Sequence, residues 1–444
     1  MTAAHDVLGD VLKKAQAAGA TAADALLVDS ASVSIMRRMG KPESVTRSEE
    51  CEIGLRVFVG KRQALVSSSD KSPDTLKEMA ERAVAMAKAA PEDPYAGIAA
   101  EELLARSVPD MDLHDGTELS VDGMNDLADA AESAALGVKG VTNSDGAECT
   151  TGSETVWYAA SNGFSNGYAS SDFSLVVSVI AGSGTAMETD YSYDSTCYLS
   201  DLKAPEDIGR DAGERAVKSL NPKKGTTKQV PVVFDRRVAG SLIGSLSSAA
   251  SGGAVARGTT LLKDKMGKPV CAPHITIIDD PFIKRGPRSR PFDGEGILPQ
   301  KRAVIDKGVL TGWFLDLSSA RQLGLQSTGN AVRGVSSQPV ARPANFTLQP
   351  GDVPPEDLIA DIKEGFFVTR LMGSGGNIVT GDYSRGAAGF WIENGKITHP
   401  VSEMTIAGNF ADMWMNMIPA NDLEILTGID APTLMLTGMT VAGA

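Results

Sequence analysis

Strand-like segments in this chain arrive in groups rather than singly between helices. A doubly wound parallel sheet needs a helical crossover after each strand, so the grouping points to an α+β fold. Residues 2–18 carry apolar side chains at helical spacing (Val7, Leu8, Val11, Leu12) with charges between them, which predicts an amphipathic helix. Short strands are expected at Ala25–Val28 and Ser32–Met39. A hairpin is expected from Glu52–Val59 and Gln63–Ser68, turning at Gly60-Lys61. Ser72 or Asp74 supplies a cap for a helix running to about Ala90, because their side-chain oxygens accept first-turn N–H groups. The same order then recurs: a helix over 121–136, strands near 147–151, 154–160, 166–170 and 173–181, and a helix near 205–219. Two α-β4-α units are therefore expected, at 1–92 and 115–222.

Asn221-Pro222 and the Lys/Gly/Thr stretch to Lys228 read as a linker into a strand-rich C-terminal domain over 228–444. That domain opens with a strand at Val230–Phe234 and a small-residue helix at Val238–Ala250, ended by Gly252-Gly253. Asn394-Gly395 accepts positive φ at both central turn positions, so Gly389–Glu393 and Lys396–Thr398 are predicted to form a type I′ hairpin. Three units suit a chain of 444 residues at roughly 100–200 residues per domain.

The net charge of -14 argues against direct contact with nucleic acid or an anionic membrane, both of which attract Lys and Arg. One local exception is Lys284-Arg285-Gly286-Pro287-Arg288-Ser289-Arg290, a basic run broken by Pro and Gly that reads as a solvated loop. The four cysteines (Cys51, Cys149, Cys197, Cys271) form no C-x-x-C pair and suit free thiols in a reducing compartment. The N-terminus lacks an apolar signal-peptide core and no long apolar run spans a membrane, so a cytoplasmic location is expected.

Conventional chemistry is sparse. No P-loop or strand–GxGxxG–helix fingerprint is present, and the Gly-rich Leu371–Val379 reads as a tight turn. His5, His114, His274 and His399 are far apart, with no pair on one helix to meet a zinc ion. His274 with Asp279 and Asp280 is the clearest His/carboxylate cluster, with a structural role expected. Ser384, within Gly381-Asp382-Tyr383-Ser384-Arg385-Gly386, does not sit in a G-x-S-x-G elbow, and no His is placed to take its proton. Asp382 and Arg385 are candidate cleft residues on an exposed loop.

Four segments carry a resemblance. Gly381–Phe410 (GDYSRGAAGFWIENGKITHPVSEMTIAGNF), Arg290–Gly296 (RPFDGEG), Trp313–Asn330 (WFLDLSSARQLGLQSTGN) and Asp412–Met417 (DMWMNM) closely resemble, in order, segments of the TldD/PmbA family, once named modulators of DNA gyrase. The resemblance is specifically to its TldE/PmbA branch. In that family the TldD subunit holds zinc through an HExxxH motif and a later Cys. Matching through the Gly-rich turn and Arg257 puts that window at Ile243–Ser248, with Ile243 and Ser248 at the His positions and Gly244 at the Glu position; no Cys follows Cys271. Ile and Gly offer no ligand and a Ser hydroxyl is a poor one.

The resemblance thus implies a metal-free subunit of a two-subunit zinc peptidase, with zinc in a TldD-like paralogue, a heterodimer with that paralogue, and peptides or unfolded segments as substrate. A homodimer is the alternative assembly when the partner is absent. Arg257, Asp382, Ser384 and Arg385 are its candidate substrate-binding residues. Two competing functions remain at this point: a self-sufficient hydrolase using Asp382, Ser384 or His274, and a non-enzymatic regulator of the gyrase-modulator kind.

Overall fold

The computed structural model describes residues 2–443. Helix α1 (Thr2–Ala17) buries Leu8, Val11, Leu12 and Ala15, the i, i+3, i+4, i+7 stripe of an amphipathic helix. Three strands follow: β1 (Ala22–Arg38), β2 (Lys41–Val59) and β3 (Arg62–Ser68). Helix α2 (Pro73–Ala89) is started by Ser72, whose side chain accepts from the Thr75 N–H, with Pro73 in its first turn. The second unit repeats the order with α3 (Val121–Leu136), β4 (Val141–Ala160), β5 (Ser165–Ala181), β6 (Glu188–Thr196) and α4 (Pro205–Lys218).

Each unit therefore has three strands where four were expected. Ala25–Val28 and Ser32–Met39 are one strand, as are 147–151 with 154–160 and 166–170 with 173–181. The polar residues between them, such as Asp29 and Ser30, are paired on both sides, with Cys51 and Glu50 of β2 and with Thr155 and Glu154 of β4. Backbone pairing, not side-chain apolarity, carries the strand through those positions. Strand β6 has a polar sequence (ETDYSYDST) and gave no apolar signal of its own.

The two units share one sheet, in the order β3-β2-β1-β4-β5-β6. The first strand of each unit pairs antiparallel with the other at the centre, giving the sheet a local pseudo-two-fold. Side chains alternate faces along each strand. One face carries Ala23, Ala25, Leu27 and Ile35 of β1 beneath the four helices, in two apolar clusters. The opposite face carries Asp24, Leu26, Val28 and Ser30.

Beyond Lys228 the chain builds a closed barrel. Strand Lys228–Phe234 runs parallel to Glu364–Met372, which pairs with Asp382–Glu393, which pairs with Lys396–Asn409. Leu434–Gly443 pairs with both Lys396–Asn409 and Lys228–Phe234, closing five strands on themselves. Val232, Phe234, Phe366, Ile406 and Val441 are fully buried in the cluster at its centre. The hairpin turns at Asn394 (φ 50°) and Gly395 (φ 75°), the positive-φ pair that a type I′ turn needs. Helix α5 (Arg236–Ala249), capped by Asp235, packs on the barrel through Leu242, Ile243 and Leu246. Gly252-Gly253 does not end this helix but opens a short second one, Gly252–Ala256. A second sheet, centred on Ile277–Asp280 and Asn345–Leu348, supports the segments that face the N-terminal half.

Candidate functional site: a charged groove on the open sheet face

The helix-free face of the six-stranded sheet is only partly covered by the C-terminal domain, and a groove remains between them. Its floor is laid out in rows set by strand register. Gly54, Leu26 and Tyr158 form one row; Glu52, Val28, Val156 and Tyr168 the next; Glu50, Ser30, Glu154 and Ser170 the next; Ser48, Ser32, Gly152 and Asp172 the last. At about 3.3 Å per residue, the floor from Leu26 to Ser32 runs roughly 20 Å along the strands. The apolar end has a volume of about 400 Å³ and is roofed by Arg290, Phe292, Gly294 and the 331–335 segment. The adjoining end, of about 490 Å³, lies between Ser170, Asp172 and Cys197 and the wall formed by 285–290, Arg342 and Pro343. Glu154 faces both. It is exposed at the mouth, yet enough chain surrounds its carboxyl that burial pushes it above the ordinary value.

Buried carboxylates hold the roof in place. The Asp293 carboxylate accepts from the N–H groups of Glu295 (2.9 Å), Ile297 (2.9 Å) and Ala331 (3.0 Å), locking RPFDGEG into a turn beside the 331 strand. Asp279 accepts from Ala344 N–H (2.7 Å) and the Asn330 amide (2.8 Å), fixing both ends of the segment that carries Arg333 and Arg342. Asn345 accepts from the Arg288 N–H (3.0 Å) and donates to the Ser289 hydroxyl (2.8 Å), anchoring the basic loop. Phe292 meets Phe164 and Tyr168 edge-on at 5.2 and 5.4 Å.

At the end of the groove beyond Leu26 lies a buried ion network joining the two halves. Arg56 of β2 donates from Nε to Asp24 of β1 at 3.0 Å and lies 3.8 Å from Glu295; Arg333 donates to the other Asp24 oxygen. The side chains of Asp24, Arg56, Arg333 and Glu295 are 0%, 5%, 0% and 3% exposed. Burial opposes the charge on Asp24, but Arg56 and Arg333 hold its carboxyl below the ordinary value. Burial pushes the Glu295 carboxyl upward despite Arg56 nearby.

The residues singled out from sequence lie elsewhere. Asp382, Ser384 and Arg385 sit on the barrel strand Asp382–Glu393, opposite Asn409, Ala407 and Ile406. Asp382 and Ser384 are exposed on one face, and Asp382 accepts from the Thr380 hydroxyl at 2.7 Å. Arg385 is half-buried on the other face with Tyr383. Arg257 ends the short helix Gly252–Ala256. None of the four lines the groove. His274 bonds the Met417 carbonyl (2.8 Å), Asp279 is the bracket described above and Asp280 pairs with Lys301, so this trio is dispersed into structural roles.

The window on α5 that the sequence resemblance matches to the zinc motif of the TldD subunit holds no fitting donors. Ile243 is fully buried against the barrel, Gly244 has no side chain, and the Ser248 hydroxyl donates to the Gly244 carbonyl at 3.0 Å. Among the described residues no three His, Cys, Asp or Glu side chains gather as a metal site. The groove residues are not of the types that mark a catalytic centre in sequence. Their sequence signals are RPFDGEG, the basic run at 284–290 and the alternation of Glu50, Glu52 and Glu154 along the strands.

The chain is an α+β protein in which a closed barrel is set against an open sheet made of two repeated α-β3-α units, with a charged groove between them. Three family models match in order: PmbA/TldA metallopeptidase domain 1 at 23–87, the central domain at 114–220 and the C-terminal domain at 227–443. The chain belongs to the PmbA/TldD family. It is 39% identical to metalloprotease PmbA of Escherichia coli O157:H7, over 93% of this chain and 90% of that one. It is 36% identical to a Haemophilus influenzae PmbA homologue over the same shares. Among solved structures it resembles a protein named as a modulator of DNA gyrase from Bacteroides thetaiotaomicron. That match has a TM-score of 0.91 and 27% identity, covering 99% of this chain and 98% of that chain. It shares its fold with TldE of Thermococcus kodakarensis (TM-score 0.83, 20% identity, 98% of this chain and 100% of that one). No helix among the described residues is long and apolar enough to cross a membrane.

Proposed function

We propose that this chain is the metal-free subunit of a cytoplasmic TldD/TldE-type zinc peptidase, holding peptide substrate while a TldD-like partner supplies the metal. What supports the reading is α5: in the window that the sequence resemblance matches to the zinc motif of the partner type, Ile243 is buried, Gly244 has no side chain and the Ser248 hydroxyl is spent on the Gly244 carbonyl. The groove supports the substrate role. Its apolar floor flanked by carboxylates and guanidiniums suits an extended peptide, whose backbone is polar and whose side chains alternate. Arg257, Asp382, Ser384 and Arg385, outside the groove, are proposed contacts on the barrel side toward the partner or the emerging substrate. Arg385→Ala is expected to slow peptide processing by the complex more than it lowers stability.

The test is zinc content and peptidase activity of the purified chain, alone and mixed with a TldD-type partner. The reading predicts no bound zinc and no cleavage alone, with cleavage in the mixture. Stoichiometric zinc or chelator-sensitive cleavage by the chain alone refutes it and favours the metalloprotease activity that the names of the relatives carry. Absence of any complex with the partner favours the regulatory alternative.

A further inference from the structure

The basic run at 284–290 is not a free solvated loop. Arg285 is clasped by Asp112 and Asp201, each at 2.8 Å, and its guanidinium lies 3.5 Å from the centre of the Tyr198 ring. Ser289 is buried and donates to the Ile283 carbonyl at 2.6 Å. So held, the loop directs Arg288 and Arg290 into the groove wall beside Arg342.

Unlike Arg285, these three have no carboxylate within ion-pairing distance among the described residues. Arg288 donates from Nε to the Thr427 carbonyl at 2.8 Å, and Arg290 donates from Nη2 to the Arg342 carbonyl at 3.1 Å. The Arg290 Nε is buried with no partner. Burial depresses the pKa of Arg288; Asp430 opposes this, and the charges of Arg290 and Arg342 add to the depression. Three mutually repelling guanidiniums in a concave wall, in a chain of net charge -14, are an arrangement that a bound anion relieves. The carboxylates Glu50 and Glu52 lie on β2, three strands from β5, roughly 14 Å across the floor at about 4.8 Å per strand. The guanidiniums thus stand on the wall at the β5–β6 side, with Asp172 and Glu154 on the floor there and Glu50 and Glu52 at the β2 side.

We propose that Arg288, Arg290 and Arg342 form a carboxylate-binding subsite that sets the direction and preference of the bound peptide. The anionic group is either the α-carboxylate of a peptide C-terminus or an Asp or Glu side chain. The peptide part of this inference rests on the groove being a peptide site; the anion part does not.

The full-length chain is titrated with fluorescent peptides differing only at the C-terminus, free acid against amide, and in a second pair differing by an internal Asp against Asn. Thermal shift with acetate, at ionic strength held constant with chloride, probes the anion alone. The subsite predicts that one anionic peptide binds about tenfold or more tightly than its neutral twin, and the pair that shows it identifies the source. Arg342→Gln, an exposed side chain, and Arg288→Gln should each shrink that ratio toward one. Equal binding of acid and neutral forms, with acetate shifting wild type and both variants alike, overturns the subsite and leaves the peptide groove standing. If no peptide binds, the peptide reading falls. Acetate then decides the subsite: a shift in wild type that is lost in Arg342→Gln supports it, and equal shifts or none overturn it.

Discussion

Replacing Asp24 with Asn leaves two buried guanidiniums facing an amide. In the wild type the Asp24 carboxylate accepts twice from Arg56 and once from Arg333, in a site with no exposed side-chain surface on Asp24 or Arg333. Removing one partner of a buried charged pair costs about 3–5 kcal/mol, because the other charge stays desolvated without compensation. That is a large part of the 5–15 kcal/mol by which domains are ordinarily stable. The loss falls on the seam between the sheet and the C-terminal domain, since Arg56 belongs to β2 and Arg333 to the segment above. Urea unfolding, followed by far-ultraviolet circular dichroism, should show Asp24→Asn destabilised by that amount. Adding Arg333→Met should cost less than the sum of the two single changes, with a coupling of about 0.5–3 kcal/mol. The pH dependence has a definite sign. The folded-state pKa of Asp24 is depressed, so its contribution is complete above the ordinary value of 3.8 and is lost as pH falls through the folded value. The share of the gap between wild type and Asp24→Asn that comes from Asp24 titration should thus be lost only in acid below about 3.8, while the Glu295 carboxyl beside Arg56, pushed up to about 8, adds its own pH dependence near neutrality. A cost below about 1 kcal/mol, or additivity of the two changes, refutes the network as the link between the halves.

Gly54→Ala should weaken the same seam, because a Cβ there would stand 2.0 Å from the Val335 carbonyl oxygen; a loss of about 1–3 kcal/mol is expected, read as a lowered thermal midpoint. Alkylation of the native protein, mapped by mass spectrometry, should reach half-buried Cys51 before Cys149 and Cys271. Burial pushes the Cys149 thiol up to about 11 and that of Cys271 higher still, so both should react only on unfolding. Arg285→Gln should release the clasp on Asp112 and Asp201, seen as faster proteolysis within 105–115 with little change in the far-ultraviolet spectrum.

Much of the local structure was legible because its causes are local. The Ser72 cap, the Gly60-Lys61 turn, the Asn394-Gly395 hairpin and the apolar stripe of α1 each follow from a few neighbouring residues and appear as expected. The grouping of strands likewise excluded a doubly wound sheet. The family could be recognised because RPFDGEG and the 381–410 segment keep their order along the chain. Strand length was not legible, since Asp29-Ser30 is held by partners that lie at least 20 residues away on β2 and more than 100 away on β4.

Tertiary structure alone decided the groove. Pairing of β1 with β4 merged two units into one sheet and set Glu50, Ser30 and Glu154 in a single row. Folding of the barrel domain then brought Arg290 and Arg333 over that row. A basic run looks the same in sequence whether its arginines are solvated or walled into a cleft. The difference is made by distant groups: Asp112, Asp201 and Asn345 hold the loop, and no carboxylate lies within ion-pairing distance of Arg288, Arg290 or Arg342 among the described residues. Charge type is written residue by residue, but pairing and burial depend on long-range contacts, and these determine what a charge can bind.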